Sequence, residues 1–210
     1  MLRFVIAATI GLLVVVTTAH TEPVEALLLL GHNYGANYNL VRDKLDEFGW
    51  HSTVAGLTAV VQPCPSYGGP LGCPSITVDV LFTDITDFSP YNCLIIMSSS
   101  HFAGNPWTDI LGNQEALDLV AQAWNDGLVV AAWCTGVRVL AAADIIDGVQ
   151  VTGHPSYQAE YEAAGAIYLG PQIPPVADSN IVTCTRGQYY NIQNCEAVAA
   201  AVENAERRAR

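Results

Sequence analysis

The chain has 210 residues and a formal net charge of -12 at neutral pH, with 51% hydrophobic and only 13% charged residues. That composition excludes a disordered chain and suits one domain with a sizeable core. Its acidity excludes a surface built to grip nucleic acid phosphates or anionic membranes, and the one basic cluster is the tail Arg207-Arg208-Arg210.

The first residues stand apart from that core. Arg3 precedes an apolar run, Phe4 to Val16, followed by Thr17-Thr18-Ala19. A basic start, an apolar stretch and small residues read as a signal peptide cleaved after Ala19, and the run is short for a membrane span, which wants about 20 apolar residues. Residues 1–19 are therefore expected to be removed. Residues 20–210 are expected to form one secreted or periplasmic domain with no membrane attachment.

"VEALLLLG" (24–31) is a continuous apolar run ending in glycine, the pattern of a strand buried on both faces. "NYNLVRDKLDEFGW" places Leu40, Val41, Leu45 and Phe48 at helical spacing, with Gly49 as its stop. Strands are expected at Trp50 to Leu57, at "ITVDVLF" (76–82) and at "NCLIIMSS" (92–99). "NQEALDLVAQAWNDG" (113–127) is a helix with Leu117, Val120, Ala121 and Trp124 on one face. Leu128 to Trp133 is another buried strand, and an alanine- and leucine-rich helix follows from Gly136. A short strand near Val149–Thr152, a helix in "SYQAEYEAAG" (156–165), a late strand in "SNIVTC" (179–184) and a closing helix over 195–210 complete the order. Repeated alternation of strand and helix argues for a mostly parallel sheet with helices on both faces, a single-domain α/β sandwich.

Export implies an oxidising compartment, so the six cysteines are read first as disulfides. Cys64 and Cys73 bracket "PCPSYGGPLGCP", and Cys184 and Cys195 bracket "CTRGQYYNIQNC"; each pair is expected to bridge. Cys93 and Cys134 remain, either paired with each other or as two separate thiols, and the preferred reading leaves Cys93 buried and unbridged.

Cys134 sits between a buried strand and a helix. In such a sheet functional groups collect at the carboxyl ends of strands. A sharp turn there pushes the side chain outward, as in a nucleophile elbow, and Gly136 lets the backbones fit. A helix amino terminus also favours a negative sulfur.

The segment "AAWCTGVRVLAAADIIDGVQVTGHP" resembles the core motif of the DJ-1/PfpI superfamily, within the class I glutamine-amidotransferase-like fold. The matching residues are Cys134, Thr135, Gly136, Leu140, Ala141 to Ala143, Ile145-Ile146-Asp147-Gly148 and Val151 to Pro155. "DSNIVTCTRGQYY" is similar to a late segment of the same family. The resemblance implies a flavodoxin-like sandwich, usually a homodimer, with a nucleophilic cysteine at the elbow. Family activities include hydrolysis of peptides or amides, glyoxalase-type conversion of aldehydes, isonitrile hydration and redox sensing.

His154 falls at the position of the family's active-site histidine, where an imidazole can move a proton to or from the thiol; the competing reading is a histidine that caps the next helix. Two departures follow. Many members place a glutamate after the first strand, where this chain has Asn37, and an amide cannot take up a proton. The Gly-Gly that often follows the third buried strand is replaced by Ser98-Ser99-Ser100, whose backbone amides, with that of Thr135, are expected to hold an oxyanion. His101 is a pocket candidate or an ordinary loop histidine. Thr135 directly after the cysteine, where the protease pattern has histidine, disfavours proteolysis. Arg186 and Tyr189 are weaker substrate contacts, and Tyr34 and Tyr38 are pocket walls or surface tyrosines. No Cys-x-x-Cys or His-x-x-x-His spacing supports a metal, and "GHNYGAN" lacks the dinucleotide fingerprint, so neither metal nor cofactor is expected.

The sequence thus points to a cysteine-dependent hydrolase, hydratase or glyoxalase-type enzyme acting on a small carbonyl or amide compound, with Cys134 and His154 at its centre. Partners other than that substrate and a second copy of the chain are not expected. The alternative, favoured by Asn37, is a non-enzymatic ligand-binding or redox-responsive module on the same fold.

Overall fold

The computed structural model describes residues 23–35, 37–65, 73–99, 107–171, 174–185 and 191–209. The segment read as a signal peptide, together with Ser100, His101, Arg186 and Tyr189, lies outside the described residues.

In chain order the elements are β1 (Glu25–Leu29), α1 (Asn37–Glu47), β2 (His51–Gly56), β3 (Val60–Val61), β4 (Ile76–Thr77), β5 (Val80–Leu81) and β6 (Cys93–Ile96). There follow α2 (Thr108–Leu111), α3 (Gln114–Asn125), β7 (Val129–Trp133), α4 (Val137–Ala142), β8 (Gln150–Val151), α5 (Gln158–Ala163), β9 (Ile167–Tyr168), β10 (Val176–Asp178), β11 (Ile181–Cys184) and α6 (Asn191–Ala209). Short 3₁₀ turns at Cys134–Gly136 and Pro155–Tyr157 introduce α4 and α5.

Seven strands form the main sheet in the order β10-β11-β7-β6-β1-β2-β5. All neighbours run parallel except β10 and β11. The unbroken apolar runs have a simple cause. Successive strand residues face opposite sides, and both sides are covered, so every position is apolar. Leu27 and Leu29 of β1, Leu94 and Ile96 of β6, and Val130 and Ala132 of β7 enter one core, with Leu117 and Val120 of α3 and Val137 and Leu140 of α4. Ala26 and Leu28, Cys93 and Ile95, and Val129, Ala131 and Trp133 enter the other, packed under Val41 and Leu45 of α1 and Val198 and Val202 of α6. The expected single α/β domain with helices on both faces is the architecture found.

Several boundaries differ from expectation. "ITVDVLF" is two strands in two sheets: β4 pairs antiparallel with β3, and β5 joins the main sheet beside β2. Asp79 makes the break, because its N–H donates to Val54 O and its carboxylate accepts from Val54 N, both at 2.8 Å. Helix α3 buries Ala116, Leu117, Val120 and Ala123, so Ala121 lies at the margin of its apolar face. Helix α6 begins at Asn191, which puts Cys195 inside a helix rather than at the end of a loop.

Candidate active site

Four parallel strands, β1, β6, β7 and β11, deliver their carboxyl ends to one edge of the sheet. Asn37 follows β1, Ser98 and Ser99 follow β6, Cys134 follows β7 and Thr185 follows β11. Adjacent parallel strands bring these residues together although they are far apart in sequence.

Cys134 has φ +54°, a left-handed conformation that costs a non-glycine residue roughly 1–2 kcal/mol. It is half-buried, and no disulfide joins it or any of the other five cysteines, which are all buried. The turn fits against β6 because Gly136 has no side chain. A Cβ there would stand 2.9 Å from Ile96 O and 3.2 Å from Met97 O. This is the geometry of an elbow: a strained residue on a tight strand-to-helix turn, held against the next strand's end.

Thr135 fastens the same two strand ends. Its hydroxyl donates to Ser99 O at 2.7 Å and accepts from Ser99 N at 3.1 Å, both fully inside the protein. The Ser99 hydroxyl donates in turn to His32 O at 2.9 Å. Ser99 is therefore a structural clamp, and its N–H, expected to hold an oxyanion, is already engaged by Thr135. At the other end of the turn the Val137 N–H donates to Thr135 O.

The His154 N–H donates to Cys134 O at 3.3 Å, which ties the β8 side of the site to the elbow. Its side chain also caps the 3₁₀ turn at Pro155–Tyr157, Nδ1 accepting from Ser156 N at 3.3 Å. The capping reading is thus borne out, in a residue whose backbone is tied to the elbow. An imidazole that accepts at Nδ1 carries its neutral-state proton on Nε2, so that nitrogen is a donor. The ring centroid lies 5.5 Å from that of Tyr157, and the Arg138 guanidinium lies over the Tyr157 ring, 4.3 Å from its centroid. Arg138 is itself buried and grips Glu160 through two bonds, of 2.7 and 3.0 Å. The Tyr161 hydroxyl donates to His154 O at 3.3 Å, and burial, with the Cys134 thiol as a secondary contributor, pushes that phenol well above its ordinary range. Arg138, Tyr157, Glu160 and Tyr161 are not marked by any motif in the sequence as site residues. Only the helical spacing of Tyr157, Glu160 and Tyr161 was available as a signal, and it reads equally well as core.

Asn37 is buried, and its Oδ1 accepts from Ser98 Oγ at 3.0 Å. That bond assigns the amide orientation and leaves Nδ2 as a buried donor with no hydrogen-bond partner. Tyr34 and Tyr38 are not surface residues. Both are core, edge to face at 5.6 Å, with the Tyr34 hydroxyl donating to Pro74 O and the Tyr38 hydroxyl accepting from Arg42.

The expected bridges Cys64–Cys73 and Cys184–Cys195 are absent. Cys195 and Cys184 pack into the core as small hydrophobes, Cys195 from within α6. Burial pushes the Cys195 thiol up to about 12, and holds those of Cys184 and Cys93 well above the usual thiol range. Among the described residues no group of three or more His, Cys, Asp or Glu side chains is placed to hold a metal ion.

A parallel flavodoxin-like sheet with a strained cysteine elbow defines a class of α/β proteins, and the comparisons place the chain within it. The model of the DJ-1/PfpI family matches residues 25–198, and the chain belongs to that family. It is 29% identical over 133 residues to the uncharacterized protein MJ0967 of Methanocaldococcus jannaschii, a match spanning 62% of each chain. The ThiJ/PfpI domain protein of Brachyspira murdochii superposes with a TM-score of 0.72 at 16% identity, over 87% of this chain and 99% of that one. Drosophila melanogaster DJ-1beta gives 0.68 at 19%, over 89% and 97%. A two-domain protein of Anabaena variabilis, with DJ-1/ThiJ/PfpI-like and ferritin-like domains, gives 0.72 at 20%; the match spans 84% of this chain and about half, 48%, of that one.

Proposed function

We propose that this DJ-1/PfpI family member is an enzyme that uses Cys134 as a nucleophile on a small carbonyl or amide compound, in a hydrolase, hydratase or glyoxalase-type reaction. The observation that carries the reading is the strained, half-buried Cys134 at φ +54° on the turn before α4. Such strain persists where the surrounding structure imposes it, and here it presents a sulfur at the edge where loops from four strands meet. The Cys134 thiolate, its proton already lost to solvent, attacks a carbonyl carbon, which forms the C–S bond and moves the carbonyl π electrons to oxygen. In this reading the N–H groups of Thr135 and Gly136 stabilise that developing charge, and His154, protonated on Nε2, donates to the leaving group or the oxyanion rather than accepting from the thiol. Export through residues 1–19 and a homodimer belong to the same proposal.

The test is turnover against a panel of small aldehydes and amides, with Cys134→Ser alongside. Activity in the parent chain that disappears in the variant supports the reading, and full turnover by Cys134→Ser refutes it.

One observation favours a second reading. Asn37 places a buried amide where the mechanism of many relatives calls for an acid, and an amide exchanges no proton. A ligand-binding or redox-responsive module needs no such proton transfer. Absence of turnover at every pH, with Cys134 still reactive toward iodoacetamide, selects it.

A further inference from the structure

A second sulfur lies beside the elbow. Strand β11 runs parallel to β7, and Cys184 stands opposite Trp133 in that ladder. Cys134 is the next residue along. A strand separation of about 4.8 Å and a rise of about 3.3 Å put the Cα atoms of Cys134 and Cys184 about 6 Å apart. That falls inside the roughly 4.4–6.8 Å window a disulfide spans. Cys184 Sγ lies 3.9 Å from Ala132 O, two residues before the elbow cysteine. It also receives the backbone N–H of Cys134, whose thiol is its electrostatic neighbour. The two differ in access: Cys134 is half-buried, whereas Cys184 is sealed in the core.

We propose that Cys134 and Cys184 form a dithiol pair that reduces small hydroperoxides, with Cys134 as the attacking sulfur and Cys184 as the resolving one. The inference rests on the reading of Cys134 as a nucleophile and adds to it an activity and a second residue. In the first step the Cys134 thiolate attacks the outer peroxide oxygen. An S–O bond forms, the O–O bond breaks, and the alcohol, or water from hydrogen peroxide, leaves with a proton, giving a sulfenic acid. In the second step the Cys184 sulfur attacks that of Cys134. The S–S bond forms, the S–O bond breaks, and water leaves with the thiol proton. Two thiols are oxidised, each by one electron, and the peroxide is reduced by two. An external dithiol returns the pair to its starting state. Without a neighbouring thiol, a sulfenic acid proceeds to sulfinic acid.

The order of events follows from burial. Peroxide meets Cys134 first, and Cys184 reacts only with a sulfur already attached to the fold. Because burial keeps Cys184 protonated at neutral pH, the second step accelerates as pH rises.

The experiment uses the full reduced chain, hydrogen peroxide added stepwise, and peptide mapping without reduction. The expected result is a Cys134–Cys184 crosslink, seen as the loss of two hydrogens and reversed by dithiothreitol. Cys184→Ala and Cys184→Ser instead leave a dimedone-trappable sulfenic acid, then sulfinic acid, at Cys134. The map of the parent chain decides even if neither variant folds. Iodoacetamide labelling of the reduced chain is run in parallel. If Cys134 is alkylated but peroxide yields sulfinic acid in the parent chain, or a crosslink that omits Cys134, the dithiol proposal falls and the nucleophile reading stands. If Cys134 reacts with neither reagent, both fall.

Discussion

Replacing Thr135 with valine keeps the shape of the side chain and removes its hydroxyl, so it isolates the clamp between β6 and β7. The hydroxyl donates to Ser99 O at 2.7 Å and accepts from Ser99 N at 3.1 Å, with Thr135 1% and Ser99 3% exposed. Valine therefore strands one buried acceptor and one buried donor. Each orphaned group costs roughly 1–3 kcal/mol, so the pair is expected to cost about 2–6 kcal/mol. For a domain of this size that lowers the melting temperature by about 4–24 °C. Thr135→Ser keeps both bonds and loses one methyl group, a cost of about 1 kcal/mol. Urea and thermal unfolding of the three proteins side by side measure the difference. A Thr135→Val protein within about 0.5 kcal/mol of the parent, the usual range of a neutral surface change, refutes the clamp.

Three further outcomes follow from the same geometry. Gly136→Ala drives a Cβ toward the carbonyls of Ile96 and Met97 and is expected to destabilise by about 1–3 kcal/mol, with a changed rate of Cys134 alkylation; equal stability and an unchanged rate would mean the turn does not need glycine. Arg138→Lys keeps the charge but loses the two-pronged grip on Glu160 and the stack on Tyr157, and is expected to lower stability by about 1–2 kcal/mol in thermal unfolding. Stability is expected to fall with rising pH above about 9. The Cys195 thiol goes from its ordinary 9.0 up to about 12 in the fold, so the native chain keeps a proton that the unfolded chain has lost. The loss amounts to about 1.4 kcal/mol per pH unit for each such thiol, and Cys195→Ala should flatten the slope measured by urea unfolding.

The sequence carried the architecture well because its strongest signals are physical necessities of a two-sided sheet. "ALLLL" (26–30), "CLIIM" (93–97) and "LVVAAW" (128–133) are apolar at every position since both faces of those strands are covered. The elbow was readable for a related reason: a buried strand that stops at Cys-Thr-Gly before an alanine-rich helix has little room to do anything but turn sharply. Short-range edges were harder. Strand β10 was missed because "PQIPPVADSN" reads as a proline-broken loop, and its hairpin depends on Ser179 and Asn180 at φ +50° and +64°, a turn not signalled by glycine. The site was legible as residues but not as bonds. Sequence placed Ser99, Thr135 and His154 near Cys134, yet which N–H the Thr135 hydroxyl would engage, and which nitrogen of His154 would cap Ser156, are three-dimensional facts. The disulfide expectation failed where spacing alone was used. Cys184 and Cys195 are close in the chain, but one ends a strand, the other lies inside a helix, and both face the core.

The central claim is that Cys134 alone among the six cysteines presents a reactive sulfur at the sheet edge. Timed iodoacetamide labelling of the folded, reduced protein, read site by site by peptide mapping, tests it most directly. The account predicts that Cys134 is alkylated first, and that Cys64, Cys73, Cys93, Cys184 and Cys195, all buried, react only after denaturant is added. Labelling of Cys134 no faster than that of Cys93 would contradict it.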